Sequence, residues 1–197
     1  MFVQVIEGQV ADASQLRRQL DRWVAELSPG ATGWLGTTAG VAADGRGLVF
    51  ARFESAAAAA ANSARPEQGE WWSETKGCFD GDVTFSDSED VDQFLAGGAD
   101  DAGFVQVIKA RADRATLRRM DERFEGLSTT FRPDLIGGLR VWLAADRYVE
   151  VAYFTSEADA RANEGRDVPP DMAGVMTEFQ ELMRGVEYID IKDPWLF

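Results

Sequence analysis

Two glutamines, Gln4 and Gln106, stand inside otherwise apolar runs, Phe2-Val3-Gln4-Val5-Ile6 and Phe104-Val105-Gln106-Val107-Ile108. If these runs are strands, alternation puts Gln4 in phase with Phe2 and Ile6, on an apolar face. An amide there either offers hydrogen bonds to a ligand or pairs with a side chain of the neighbouring strand. Arg52 and Tyr153 are in phase with Leu48 and Phe50, and with Val149 and Val151. An arginine in that setting holds an anionic ligand or pairs with an acid at a sheet edge. Asn62 and Asn163 either end the first helical piece of each copy as caps or reach into a cavity. Trp71-Trp72 point about 100° apart if helical, so one belongs to the core and the other lines a cavity or faces the linker. These eight residues are the expected contacts for an apolar or aromatic small molecule. No pair of carboxylates stands out for acid–base work among 34 acids, so no catalytic residue is assigned.

The composition removes whole classes of chemistry. With no histidine among 197 residues, no Ser-His-Asp or Cys-His machinery and no histidine-ligated haem, zinc or iron is possible. The single cysteine, Cys78, forms no disulfide within the chain and builds no thiolate metal site. Neither a metal nor a cofactor is expected. A net charge of −14 opposes nucleic-acid binding, and the densest basic spots, Arg17-Arg18 and Arg118-Arg119, fall inside helical patterns. No window approaches the roughly 18 apolar residues of a membrane span, and the N-terminus lacks a basic, then apolar, signal pattern. The expectation is a cytoplasmic, acidic protein, either a monomer or a homodimer.

The chain repeats itself. Beyond the glutamine runs, Leu16-Arg17-Arg18 returns as Leu117-Arg118-Arg119, and Ala51-Arg52-Phe53-Glu54-Ser55 aligns with Ala152-Tyr153-Phe154-Thr155-Ser156. Asn62 and Arg65 match Asn163 and Arg166 at the same offset. A period near 100 residues means two fused copies of one small domain rather than a solenoid. Residues 86–102 hold six acids and no base, which reads as a solvated linker. Asp87, Glu89, Asp90 and Asp92 lack the central glycine and terminal glutamate of a calcium loop. The expected division is a first repeat over 1–90, an acidic linker over 91–102 and a second repeat over 103–197.

Each copy reads as the same elements. A strand over 2–7 precedes a helix capped by Asp12 or Ser14, with Leu16, Leu20, Trp23, Val24 and Leu27 on one face. Pro29-Gly30 ends it, and Asp44-Gly45 turns a hairpin of strands near 33–42 and 47–53. The alanine run 56–61 and residues 68–77 give a helix broken at Pro66, and a strand near 82–86 closes the copy. The second copy predicts strand 104–109, helix 114–127, hairpin 135–143 and 147–154, a broken helix over 156–184 and strand 186–191. The order βαββαβ is the ferredoxin-like unit, twice over, in an α+β fold. A sheet with both helices on one face needs cover on the other, which two copies can supply for each other.

With this duplication, the segment Phe53-Glu54-Ser55 through Asn62-Ser63-Ala64-Arg65-Pro66-Glu67-Gln68-Gly69-Glu70-Trp71-Trp72 resembles the helix after the third strand in the dimeric α+β barrel superfamily, which includes the antibiotic-biosynthesis monooxygenase-like proteins. The resemblance covers nearly the whole chain and implies two ferredoxin-like units facing each other as an intrachain barrel. The family often carries a histidine where Asn62 and Asn163 stand, and its haem-degrading members need an iron-binding histidine that this chain lacks. Its cofactor-free monooxygenases use polar and aromatic residues to orient an electron-rich substrate anion that itself reduces oxygen. Asn62, Trp71, Trp72 and Arg52 fit that demand. The superfamily hosts many chemistries, so two readings stay open. One is a cofactor-independent monooxygenase-like enzyme on an aromatic or phenolic substrate. The other is a non-catalytic binding or protein-interaction module, with Asp193-Pro194-Trp195-Leu196-Phe197 as a hydrophobic tail.

Overall fold

Alternating apolar residues on both sides of Gln4 form β1 (Phe2–Val10), and Asp12 starts α1 (Ala13–Arg22) by accepting the Gln15 N–H at 2.8 Å. A short π-helical turn, Trp23–Leu27, carries the same apolar stripe onward before the turn at Ser28–Gly30. The hairpin β2 (Trp34–Val41) and β3 (Arg46–Phe53) follows. Then come α2 (Ala56–Ser63), capped by the Ser55 hydroxyl, and α3 (Pro66–Thr75), whose first residue is the proline that ends α2. Eight residues are too few to hold a helix alone, even with six alanines. The face of α2 bearing Ala59 and Asn62 is therefore buried. β4 (Phe79–Ser88) and β5 (Val91–Leu95) complete this stretch.

The second copy gives β6 (Phe104–Arg111), α4 (Arg114–Glu125), β7 (Leu135–Trp142), β8 (Arg147–Phe154), α5 (Glu157–Glu164), α6 (Ala173–Leu182), β9 (Glu187–Ile191) and the short β10 (Trp195–Leu196). This computed structural model describes residues 1–125, 132–168 and 173–197. The predicted apolar position Leu127, the Phe124 side chain and residues 169–172 lie outside that description.

Two antiparallel five-stranded sheets result, in the orders β10-β2-β3-β1-β4 and β5-β7-β8-β6-β9. Without the outermost β10 and β5, each order is that of a ferredoxin-like unit, so the α+β class and the duplicated βαββαβ topology stand. The chain divides into one unit of Met1–Val91 with Asp193–Phe197, and another of Asp92–Lys192. The acidic stretch expected to be linker thus contributes a strand to the second unit, and the C-terminal tail contributes one to the first. Asp92-Gln93-Phe94-Leu95 and Asp193-Pro194-Trp195-Leu196 are themselves a further repeated block, 101 residues apart.

Both added strands dock through an aromatic ring. Trp195 is buried opposite Ala39, within a cluster that includes Ile6, Leu16, Leu20, Trp23, Val49 and Trp71. Arg17 lies over the Trp195 and Phe197 rings at 5.5 and 5.2 Å from their centroids. Burying side chains of this size contributes about 1.5–3 kcal/mol each, comparable to the net worth of two ladder hydrogen bonds. In the second unit, Phe94 lies against Gly138 so closely that a Cβ there would meet its ring. Glycine to alanine in an ordinary strand position gains roughly 0.4–1 kcal/mol. Gly138→Ala should instead lower the thermal midpoint, and combining it with Phe94→Ala should recover part of the loss. A raised midpoint for the single variant would show that β5 does not dock there.

Candidate functional site

Strand register decides which side chains share a face. In the first unit Phe2, Gln4 and Ile6 lie opposite Phe53, Ala51 and Val49 of β3, and Gln4 and Ile6 lie opposite Asp87 and Phe85 of β4. Ile6 and Val49 pack with Leu16, Leu20 and Trp23 of the helical layer, so this is the helix-facing side. The reverse side carries Val3, Val5, Leu48, Phe50 and Arg52, all buried. The second unit repeats the pattern. Phe104, Gln106 and Ile108 face the helices with Ala152, Glu150, Tyr188 and Asp190, while Val105, Val107, Val151 and Tyr153 occupy the reverse.

The expected ligand contacts therefore do not form one group. Gln4, Asn62, Trp71 and Trp72 belong to the helix side of the first unit, and Gln106 and Asn163 to that of the second. Arg52 and Tyr153, 8% and 0% exposed, lie on the reverse faces. Arg52 is opposite Gly36, whose φ of +126° suits glycine, and Tyr153 is opposite Gly137.

Both glutamines meet an aspartate on the outer strand. Gln4 Nε2 donates to Asp87 at 3.1 Å, and Gln106 Nε2 to Asp190 at 2.9 Å. The neighbouring-strand pairing weighed from the sequence is thus realised in both copies. Asp190 also pairs with Arg161 of α5, whose guanidinium stands 5.2 Å over the Phe104 ring. Neither aspartate was singled out beforehand as a partner. Their signal was available: Phe85-Ser86-Asp87 and Tyr188-Ile189-Asp190 each place an aromatic two residues before an acid, and each aromatic is 47% exposed.

In the first unit the tryptophans fill the interior. Trp71 is buried, and its indole N–H donates to the Gln19 carbonyl at 2.9 Å. Trp23 donates to Gln68 at 2.6 Å and meets the Trp34 ring edge-on, with centroids 5.1 Å apart. Trp72 is half-buried and meets Phe85 edge-on, at 5.2 Å. Asn62 accepts from Arg65 at 2.9 Å, and the same guanidinium group donates to the Leu27 carbonyl at 3.0 Å. Cys78 is fully buried. Burial first, and Asp12 next, push its thiol above the ordinary value, which disfavours the reactive thiolate.

The second unit differs at the middle of the same surface. Across the sheet the first unit reads Ala39, Val49, Ile6, Phe85, and the second reads Arg140, Glu150, Ile108, Tyr188. Arg140 Nε donates to Glu150 at 2.8 Å, while its two terminal nitrogens grip Asp121 of α4 at 2.6 and 3.1 Å. The Arg140 and Glu150 side chains are 7% and 15% exposed. Burial works against the arginine's charge, and Glu150 and Asp121 more than restore it. Burial also lifts Glu150 above its ordinary 4.5, although Arg140 opposes the shift. Tyr148 is buried 5.3 Å from Arg140, and burial followed by Glu150 pushes its phenol up. The Tyr188 phenol is raised by burial, then by Glu150 and Glu164.

To one side of this row lie Phe104, Ala152, Phe154 and Ala160, and to the other Leu117, Trp142 and Tyr148. Acceptors, a phenol and a fixed guanidinium between two apolar clusters can orient a polar aromatic molecule and take up a proton. Among the described residues no three Cys, Asp or Glu side chains are grouped to hold a metal ion, and no helix is long and apolar enough to cross a membrane.

No protein-family model matches the sequence, and no curated protein matches it either. Solved structures match in fold. A provisionally named monooxygenase of Lactobacillus acidophilus superposes with a TM-score of 0.70 at 10% identity, covering 100% of this chain and 98% of its own. A protein of the same designation from Fusobacterium nucleatum gives 0.76 at 7% identity, covering 99% and 93%. An anthrone oxidase-like protein gives 0.61 at 12% identity, again covering 99% and 93%. The likeness spans the chain, and it is one of fold.

Two outcomes follow from the buried ion pair. Arg140→Met leaves Glu150 without its cation and should cost about 3 kcal/mol in urea unfolding. Arg140→Ala combined with Glu150→Val restores the residues found in the first unit and should recover most of that loss. Because Glu150 holds its proton more tightly when folded, its contribution to stability is full below 4.5 and is lost as pH rises through the folded value. Glu150→Gln should therefore gain on the wild type in thermal midpoint from pH 4.5 toward neutrality. A constant difference would contradict the shift.

Proposed function

We propose that this chain binds a small aromatic or phenolic molecule and oxidises it as a monooxygenase-like enzyme without a bound cofactor. The observation that carries the reading is the polar row of the second unit, Arg140, Glu150 and Tyr188, set between apolar clusters on the helix-facing side of a fold shared with monooxygenase-type proteins. A substrate such as anthrone supplies its own electrons. Loss of a proton gives an anion electron-rich enough to reduce dioxygen, and the methylene becomes a carbonyl while the second oxygen atom leaves as water. The protein's share is to orient the ring and accept the proton. Glu150 is suited to accept it, because a carboxyl raised by burial lies nearer in affinity to an acidic carbon or phenol than an exposed one. The Arg140 guanidinium, held by two carboxylates, keeps the proton-accepting side chain in one orientation. Arg52, Trp71 and Trp72 belong to other surfaces and are left out of this reading.

The anthrone oxidase-like neighbour makes anthrone a sensible probe. Oxygen uptake with metal-free protein and anthrone should exceed the uncatalysed rate, with one oxygen consumed per quinone formed. Glu150→Gln should lower kcat by about 100-fold. Saturable anthrone binding without added oxygen uptake would overturn the enzyme in favour of a binding module.

A further inference from the structure

The two copies treat one repeated asparagine differently. Asn62 and Asn163 occupy the same place in the last turn of α2 and α5 and are 6% and 7% exposed. In both copies the arginine three residues on returns its backbone N–H to the asparagine carbonyl, at 3.1 Å from Arg65 and 3.3 Å from Arg166. Their side chains then diverge. Arg65 folds inward, onto Asn62 Oδ1, the Leu27 carbonyl and Glu67, and lies against Gly30. Arg166 is exposed. Asn163 donates through Nδ2 to the Asp159 carbonyl at 2.8 Å, and its buried Oδ1 has no partner among the described residues. Reversing the amide does not help, because two carbonyl oxygens cannot bond to each other and Asp159 requires the amino group.

An unmatched acceptor at this depth is costly unless something donates to it. Asn163 follows Ala160 by one turn, and Ala160 packs against Phe104, Ala152 and Phe154 of the sheet. The asparagine is thus on the sheet-facing side of α5, the side that carries the polar row. Arg161 of the same helix pairs with Asp190, two residues from Tyr188 on β9, which places α5 beside the row. Glu150 is paired with Arg140, and Glu164 and Asp190 with Arg161, so Asn163 Oδ1 is the acceptor left open, and it favours a ligand that brings a hydrogen-bond donor. In the first unit the equivalent oxygen is satisfied, and Trp23, Trp34 and Trp71 occupy the interior.

We infer that the chain holds one ligand site rather than two, in its second unit, where Asn163 Oδ1 accepts from a hydroxyl or N–H of an aromatic ligand. This rests on the small-molecule reading above but not on catalysis. Duplication has left one copy as a binding unit and closed the other with Arg65 and tryptophan.

Calorimetric titration of the full chain with 2-naphthol tests it, with 2-methoxynaphthalene as the matched ligand without a donor. One molecule of 2-naphthol should bind per chain, and the ether about tenfold more weakly. Asn163→Leu should bring the two ligands to equal affinity without lowering the thermal midpoint, since it removes an unmatched group. Asn62→Leu should lower the midpoint, because Arg65 loses a partner, and leave both affinities and the stoichiometry unchanged. Two molecules per chain, equal affinities in the wild type, or no saturable binding would each overturn the inference. Failure here with anthrone oxidation intact would leave the proposed function standing. Single-site, donor-dependent binding without oxygen uptake would do the reverse.

Discussion

Each sheet is organised around the first strand of its copy, which is hydrogen-bonded on both sides. β1 lies between β3 and β4, and β6 between β8 and β9. With a side-chain period of two, a slip of one residue in either pairing would send Gln4 or Gln106 to the reverse face and separate it from its aspartate. The register therefore fixes more than packing. It aligns Gln106 with Asp190, Ile108 with Glu150 and Tyr188, and Glu150 with Arg140 across four strands. Every strand residue of the polar row takes its position from that alignment.

The two copies share this frame and spend it differently. Where the first has Ala39 and Val49, the second has Arg140 and Glu150, and the same fold accommodates both. Replacing a buried pair by apolar residues is often neutral or stabilising, so stability alone gives little reason to keep the charges in one copy. A retained, desolvated carboxylate between apolar clusters is the kind of group that active sites use. The first copy instead packs four tryptophans, Trp23, Trp34, Trp71 and Trp72, in a continuous run of ring contacts, three of them with their indole N–H groups satisfied by the protein.

The outer strands β5 and β10 extend the same logic. Each follows the fourth strand of one copy and completes the sheet of the other unit, covering an edge that would otherwise present unpaired backbone groups. Both carry an aromatic ring at the matching position, Phe94 and Trp195, and each ring meets a small residue of the strand beside it, Gly138 or Ala39. The tail Asp193–Phe197 thus belongs to the first unit as an edge strand.

The order βαββαβ, its duplication, the Asp12 cap, the Asp-Gly hairpin and the break at Pro66 all follow from residues close in sequence, where periodicity, capping and turn chemistry act locally. So does the phase of Gln4 with Phe2 and of Arg52 with Phe50, because a strand alternates whatever its neighbours are. The partner of Gln4, by contrast, lies 83 positions away. That Gln4 meets Asp87, that Arg52 and Gln4 face opposite ways, and that an acidic stretch becomes a strand under Phe94 were decided by tertiary register. Glu150 and Arg140 are ten residues apart on one hairpin, but among 34 acids and 20 bases only the folded protein, with α4 packed over the sheet, removes that pair from water. The fate of the repeated asparagine likewise turned on tertiary packing. One side chain, Arg65, folds onto Asn62, and its counterpart Arg166 stays exposed, a difference that the shared Asn and Arg spacing could not reveal.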